Sequence, residues 1–277
     1  MSDTSASPAM AALPGYGAPT LRSWLAVAAI VVLTLVLLPI QAAILKLRLR
    51  SWWAIPLFYH RVALKIIGVR VRVQGATSAV RPTLFVSNHV SWLDIPVIGA
   101  VLPASFIAKR EVGDWGPFGS LARLHRTLFV DRERRGQVHA QNNEIAERLA
   151  AGDNLVLFAE GTSTDGSIVL PFKSALLAVA EPSVCGRDEL TIQPVTIAYR
   201  TLNGLPLGRA TRPFIGWYGD MALEPHFLTL LGLGRIGVDL IFHDPINSRD
   251  FASRKTIAAH CHETVRRGLL ATRRGEG

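Results

Sequence analysis

An uncharged run of 22 residues, Trp24 to Leu45, constrains this chain more than any other feature. About 20 apolar residues in a helix cross the hydrocarbon core of a bilayer. A buried helix of that length without a charge is rare. A signal peptide would have a shorter apolar core and a small-residue cleavage site after it, whereas Leu45-Lys46-Leu47-Arg48 follows here. The run is therefore expected to be a membrane helix. Lys46, Arg48 and Arg50 after it outweigh Arg22 before it. The positive-inside rule then predicts a single pass through the cytoplasmic membrane, with the rest of the chain on the cytoplasmic side. Residues 1–21, rich in Ala, Pro, Ser, Gly and Thr, are expected to form a disordered tail. Residues 22–50 hold the helix and its basic flank. Residues 51–68 are aromatic and basic and end at Gly68. They read either as a helix lying in the membrane interface or as an ordinary packing helix.

The remaining residues, 69–277, suffice for one catalytic domain. Strand-like runs at Val69–Val73, Thr83–Ser87, Ala104–Ala108, Thr127–Val130, Leu155–Phe158, Leu190–Ala198 and Gly237–His243 alternate with helical stretches at Asp94–Leu102, Trp115–Leu124, Gln137–Ala150 and Ser253–Ala271. That alternation predicts an α/β fold with a mixed sheet flanked by helices. The formal charge is +9, yet only 18% of residues are charged. A basic, apolar chain suits an anionic membrane surface. Nucleic-acid binding would call for a basic cluster interleaved with aromatics, which the interior lacks. Cys185 and Cys261 match no metal or redox spacing and are expected to be reduced. His260 and His262 flank Cys261, but positions i and i+2 of a helix do not share a face, so no metal site is expected. Gly232-Leu233-Gly234-Arg235-Ile236-Gly237 satisfies the dinucleotide fingerprint in letters only. A strand-like run follows it where a helix is required.

The chemistry-bearing stretch is Asn88-His89-Val90-Ser91-Trp92-Leu93-Asp94, between a strand and an apolar segment carrying Pro96. Histidine titrates near neutrality, and a carboxylate five residues on can fold back to fix its tautomer. Such a pair can take a proton from a hydroxyl. No G-x-S-x-G elbow occurs in the chain, so the hydroxyl would belong to the substrate. The alternative is that Asp94 merely caps a helix and His89 is a hydrogen-bonded loop residue. Arg132, in Phe129-Val130-Asp131-Arg132, offers a planar fork for phosphate or carboxylate, or forms a solvated charge run with Arg134 and Arg135. In Phe158-Ala159-Glu160-Gly161-Thr162, the glycine permits close approach of a ligand to the backbone. Glu160 there can bind a hydroxyl or order a positive neighbour.

These stretches resemble, in order, the signature blocks of the glycerolipid (1-acyl-glycerol-3-phosphate) acyltransferase family: N-H-x-x-x-x-D at 88–94, phenylalanine then arginine at 129–132, and F-P-E-G-T-R at 158–163. The lysine-bearing stretch Leu170-Pro171-Phe172-Lys173 and an apolar-Pro-apolar block at 192–195 follow. The resemblance implies His89 as general base oriented by Asp94, direct attack of a lipid hydroxyl on an acyl thioester without an acyl-enzyme, and Arg132, Glu160, Gly161, Thr162 and Lys173 as substrate-binding residues. It implies acyl carrier protein or CoA thioester as co-substrate, a lysolipid acceptor, the bilayer as partner, and no resident cofactor or metal. One position departs. Ser163 stands where the family's phosphate-binding arginine belongs. Together with Thr164-Asp165-Gly166, it makes the stretch similar to the branch that O-acylates lyso-ornithine lipid, whose acceptor hydroxyl comes without a phosphate. Lysophosphatidate acylation, thioester hydrolysis and a non-catalytic lipid-binding role are the other readings.

Overall fold

The computed structural model describes residues 18–130 and 138–275. Arg132, Gln137 and all but the end of the predicted tail lie outside the described residues. The alternation of strands and helices folds into one mixed sheet with helices on both faces. Its strands are β1 (Val69–Gln74), β2 (Thr83–Ser87), β3 (Ala104–Lys109), β4 (Leu128–Val130), β5 (Asn154–Phe158), β6 (Thr191–Leu202), β7 (Leu205–Pro206), β8 (Ile236–Phe242) and β9 (Ile246–Asn247). The spatial order is β1-β8-β6-β2-β5-β3-β4, with β7 and β9 paired to β6. Strands β6, β2, β5, β3 and β4 are mutually parallel, and β8 turns antiparallel against β6. The central strands β2 and β5 are apolar without alternation, as sheets covered on both faces require.

The α-helices of six or more residues among the described residues are α1 (Leu21–Lys46), α2 (Ala54–Ile67), α3 (Asp94–Gly99), α4 (Gly116–Leu124), α5 (Val138–Ala150), α6 (Leu223–Gly232) and α7 (Arg254–Arg274). One apolar cluster packs α1, α2, α3 and α6 on one face of the sheet, and a second packs α5 and α7 on the other. One element differs from the sequence reading. The helix expected over Asp94–Leu102 stops at Gly99. The apolar run before the glycine-rich stretch is part of a helix, α6, because tertiary packing buries Leu230 and Leu231 against α1. Gly99 is also where α2 crosses α3. A side chain there would begin 2.4 Å from the His60 ring.

Helix α1 opens with a capping box, in which Thr20 and Ser23 exchange side-chain-to-backbone bonds. It is long and apolar enough to cross a membrane, and only 11% of its apolar window is buried against the protein. Trp24, Leu25, Val31, Val32, Leu35 and Val36 point outward. Both ends are nevertheless fastened to the same domain. Near the start, the Arg22 guanidinium donates to the carbonyls of Leu231, Ile67 (2.7 Å) and Gly234 (3.4 Å), and Ser23 donates to Leu228 (2.8 Å). Near the end, the buried Gln41 amide donates to the carbonyls of Trp52 (3.1 Å) and Leu124 (2.9 Å). These anchors stand about 28 Å apart along the helix axis. Charge-assisted bonds of this kind contribute about 1.5–3 kcal/mol. Arg22→Ala is therefore expected to lower stability by about 2 kcal/mol in denaturant unfolding in detergent micelles. An unchanged midpoint would mean that the helix end is not held by this side chain.

Candidate active site

Parallel pairing sets Ser87 of β2 beside Phe158 of β5. His89 and Glu160 therefore emerge two residues later at one sheet edge, at the carboxyl ends of the strands, where open α/β sheets place their ligands. Asn88 continues the ladder with its side chain. Its amide nitrogen donates to the Ile197 carbonyl (3.0 Å), and its amide oxygen accepts from the Ile197 N–H (2.8 Å). Only a residue carrying both a donor and an acceptor can do this.

Beyond Asn88 the chain wraps around the carboxylate of Asp94, whose side chain is fully buried. Oδ2 accepts from His89 Nδ1 (2.7 Å), Val90 N (2.6 Å) and Ser91 N (3.0 Å), and Oδ1 accepts from the Tyr199 hydroxyl (2.8 Å). Four donors fill the acceptor sites of an ionised carboxylate. Burial and the Asp94 charge hold the Tyr199 hydroxyl well above the usual phenol range, so it remains a donor. Because Asp94 accepts, Nδ1 of His89 carries the proton and the Nε2 lone pair is left for a substrate. Nε2 has no hydrogen-bond partner among the described residues. The imidazole stacks on Phe158 at 4.1 Å between centroids, which fixes its plane.

Glu160 faces inward. It is 1% exposed, and its two oxygens accept from the backbone N–H groups of His89 (2.8 Å) and Leu170 (2.8 Å). It ties the histidine loop to the segment after β5. Burial pushes its carboxyl up to about 7 despite those bonds. Gly161 turns the chain with φ +70°, a conformation glycine adopts without strain. Thr162 and Lys173 are exposed beside this turn, and the Lys173 N–H donates to Ala159 O (2.8 Å). Ser163 donates to the Trp217 carbonyl (2.5 Å), so this side chain secures the neighbouring loop. Thr164 N–H donates to His89 O (3.0 Å), and Trp217 N–H donates to Val90 O (2.9 Å). The segments after β5 and before α6 thus close around residues 88–94.

On the other side of that loop lies an apolar cavity of about 590 Å³ between the α1–α2 pair and the sheet domain. Trp92, Ile95 and Pro96 line it from the histidine loop, facing Ile30, Tyr59 and Phe118. Trp92 is held by its indole N–H, which donates to His226 Nδ1 (3.0 Å). Burial lowers His226 to about 4, so this acceptor is neutral. Ligand pockets of this size and character commonly hold one small or chain-like molecule. Among the described residues no cluster of His, Cys, Asp or Glu is arranged for a metal.

The structure brings His89, Asp94, Glu160, Gly161 and Thr162 to one place, with Lys173 at its margin. Arg132 lies outside the described residues. Sequence reasoning passed over Tyr199, whose strand β6 lies 105 residues after Asp94 and gives no local sign of the contact. It also passed over Asn88, although the residue stands in the motif itself. Tyr199→Phe is expected to reduce kcat with KM little changed, because one donor fewer holds the Asp94 carboxylate that orients His89. An unchanged kcat would assign Tyr199 a packing role alone. For Glu160 the folded value lies above the ordinary one, so the folded state binds the extra proton between about 4.5 and about 7. The resulting stabilisation is complete below that window and lost as pH rises through about 7. The melting temperature of the wild type should accordingly fall relative to Glu160→Gln over this range, and parallel curves would refute the assignment.

Known proteins resemble this chain in sequence and in fold. The acyltransferase family's sequence model matches residues 70–198. A lyso-ornithine lipid O-acyltransferase of Brucella abortus is 45% identical over 249 residues, 89% of this chain and 93% of that protein. A 1-acyl-sn-glycerol-3-phosphate acyltransferase of Neisseria gonorrhoeae is 40% identical over 183 residues, 66% of this chain and 68% of that protein. The crystal structure of the 1-acyl-sn-glycerophosphate acyltransferase of Thermotoga maritima superimposes with a TM-score of 0.60 over 91% of this chain and 97% of its own, at 22% identity, and so shares the fold. The chain belongs to the glycerolipid acyltransferase family and is an acyltransferase.

Proposed function

We propose that this acyltransferase moves a fatty acyl group from an acyl carrier protein or CoA thioester to the hydroxyl of lyso-ornithine lipid. The observation that carries the reading is the buried, four-donor Asp94 holding His89 with Nε2 free, on a loop whose Trp92, Ile95 and Pro96 line an apolar cavity. Nε2 takes the proton of the acceptor hydroxyl as its oxygen bonds to the thioester carbonyl carbon. The tetrahedral centre collapses, the carbon–sulfur bond breaks, and the imidazolium returns the proton to the leaving thiolate. Asp94 offsets the positive charge on the ring in between. The apolar cavity suits an acyl chain, and its contact with Trp92 puts the chain next to the reacting loop.

Lyso-ornithine lipid is favoured as acceptor by the 45% identity to an enzyme of that name and by Ser163, which carries no charge for a phosphate. Arg132, Gly161, Thr162 and Lys173 are assigned to the acceptor's polar groups. Glu160, engaged on both oxygens, supports the loop that carries His89. The outward apolar face of α1 is assigned to lipid. Its attachment to one domain at both ends favours insertion of α1 and α2 into a single leaflet over the single pass read from the sequence. The basic residues after α1 favour the anionic cytoplasmic leaflet as the surface that the domain meets.

His89→Ala should lower turnover by about 10²–10⁴-fold, the usual contribution of a general base, with fold and membrane association intact. Turnover at the wild-type rate would reject the mechanism. Purified enzyme in neutral detergent, offered lyso-ornithine lipid and lysophosphatidic acid in parallel with each thioester, should acylate the former. Exclusive transfer to lysophosphatidic acid would overturn the choice of acceptor and leave the mechanism standing.

A further inference from the structure

The glycine-rich stretch 232–237, which does not bind a dinucleotide by its context, builds something else. With β1 and the end of β6 it walls a pocket of about 410 Å³ lined by Arg70, Thr201, Asn203, Gly204, Arg235 and Gly237. The pocket is the unneutralised end of a charged ladder. One rung inward, Asp239 of β8 stands opposite Arg72 of β1. Its buried carboxylate accepts from Arg72 (2.7 and 3.0 Å), Arg200 (2.9 Å) and Gln74 (3.3 Å). At the pocket's own rung, Arg70 stands opposite Gly237. No acid fits there, since even a Cβ would lie 2.3 Å from the Thr201 hydroxyl. A register shift of β6 between Tyr199 and Thr201 brings that hydroxyl across. Arg235 is fixed by Asn203, whose backbone N–H donates to Arg235 O (2.7 Å) and whose side-chain oxygen accepts from Arg235 N–H (2.8 Å). Neither Arg70 nor Arg235 makes an ion pair among the described residues. Arg72 and Arg200 share the carboxylate of Asp239, and Arg70 and Arg235 stand beyond that pair with no acid of their own among the described residues.

The position matters as much as the charge. The N-terminal end of β8 pairs with the C-terminal end of β6, Ile236 with Leu202, so the pocket opens at the same end of the sheet as His89. It lies two strands away from β2, about 10 Å across the sheet. It adjoins the root of α1, because Arg22 donates to Gly234 O in the same loop. The outward Leu21, Trp24 and Leu25 begin there.

The geometry points to a second site, apart from the acyl-transfer centre, that takes the phosphate of an anionic lipid headgroup while the lipid's chains lie along α1. A concave pocket with two planar forks and a hydroxyl suits a phosphate group better than the convex acidic surface of a carrier protein. It would hold the enzyme to anionic membrane at the level where α1 enters.

The test uses the full-length protein and flotation with phosphatidylcholine vesicles, with and without added phosphatidylglycerol. Wild type should bind the anionic vesicles more tightly. Arg70→Gln with Arg235→Gln should lose about 10–30-fold of that affinity, at about 5-fold per arginine, while binding to neutral vesicles, the melting temperature and turnover in neutral detergent stay unchanged. Lys255→Gln with Arg187→Gln, exposed basic residues at the opposite end of the sheet, should change nothing. An equal loss in that control would reduce the effect to net charge and overturn the site. Calorimetry with inorganic phosphate in neutral detergent separates the sources. Phosphate binding that needs Arg70 and Arg235, without any preference for phosphatidylglycerol, would make this a free-phosphate site and overturn the headgroup assignment. Turnover lost only with acyl carrier protein as donor, with unchanged vesicle binding, would overturn it in favour of protein docking.

Discussion

Everything at the reacting end of this enzyme depends on one buried carboxylate. Removing an anion from water is unfavourable unless its lone pairs are filled, and Asp94 is filled by donors from three sources: its own loop, the imidazole, and Tyr199 on β6. That single requirement fixes the conformation of residues 88–94, the tautomer of His89, and the distance between β2 and the loop. Glu160 repeats the device from β5 with two backbone donors. The histidine is thus held from the side of each neighbouring strand, and Phe158 sets its plane by stacking. Little is left to reorganise in this loop, a condition that suits the general-base role proposed for His89.

The long apolar helix is integrated into the same architecture. Helix α1 presents a greasy outer face, yet its inner positions carry Arg22, Ser23 and Gln41, each satisfied by carbonyls of the domain. Those polar side chains would be costly in hydrocarbon without partners. Their partners fix the helix at both ends, and between helix and sheet the apolar cavity opens beside the histidine loop. In the proposed reaction this cavity keeps the acyl chain out of water beside the histidine loop.

Several features were legible in the sequence because they are local. The uncharged run from Trp24 to Leu45, the alternation of strands and helices, and the five-residue spacing of His89 and Asp94 report on short-range geometry, and their arrangement follows from it. Ser163 stood out for the same reason, as a departure inside a recognisable block. Asn88 was equally visible, but its role as a side-chain extension of the ladder depends on Ile197, which sequence does not bring near.

What only the tertiary structure decided are the contacts between distant segments. Tyr199 on β6, the inward turn of Glu160, the fastening of Arg22 to the loop before β8, and the rung where Gly237 leaves Arg70 without an acid arise from strand order and register. The sequence by itself determined that the chain has a long apolar helix, an α/β domain and a histidine five residues from a carboxylate. Each of these follows from periodicity or spacing over a few residues. Partner choice across the sheet requires the order β1-β8-β6-β2-β5-β3-β4, and that order is set by burial summed over the whole domain, which no short stretch encodes.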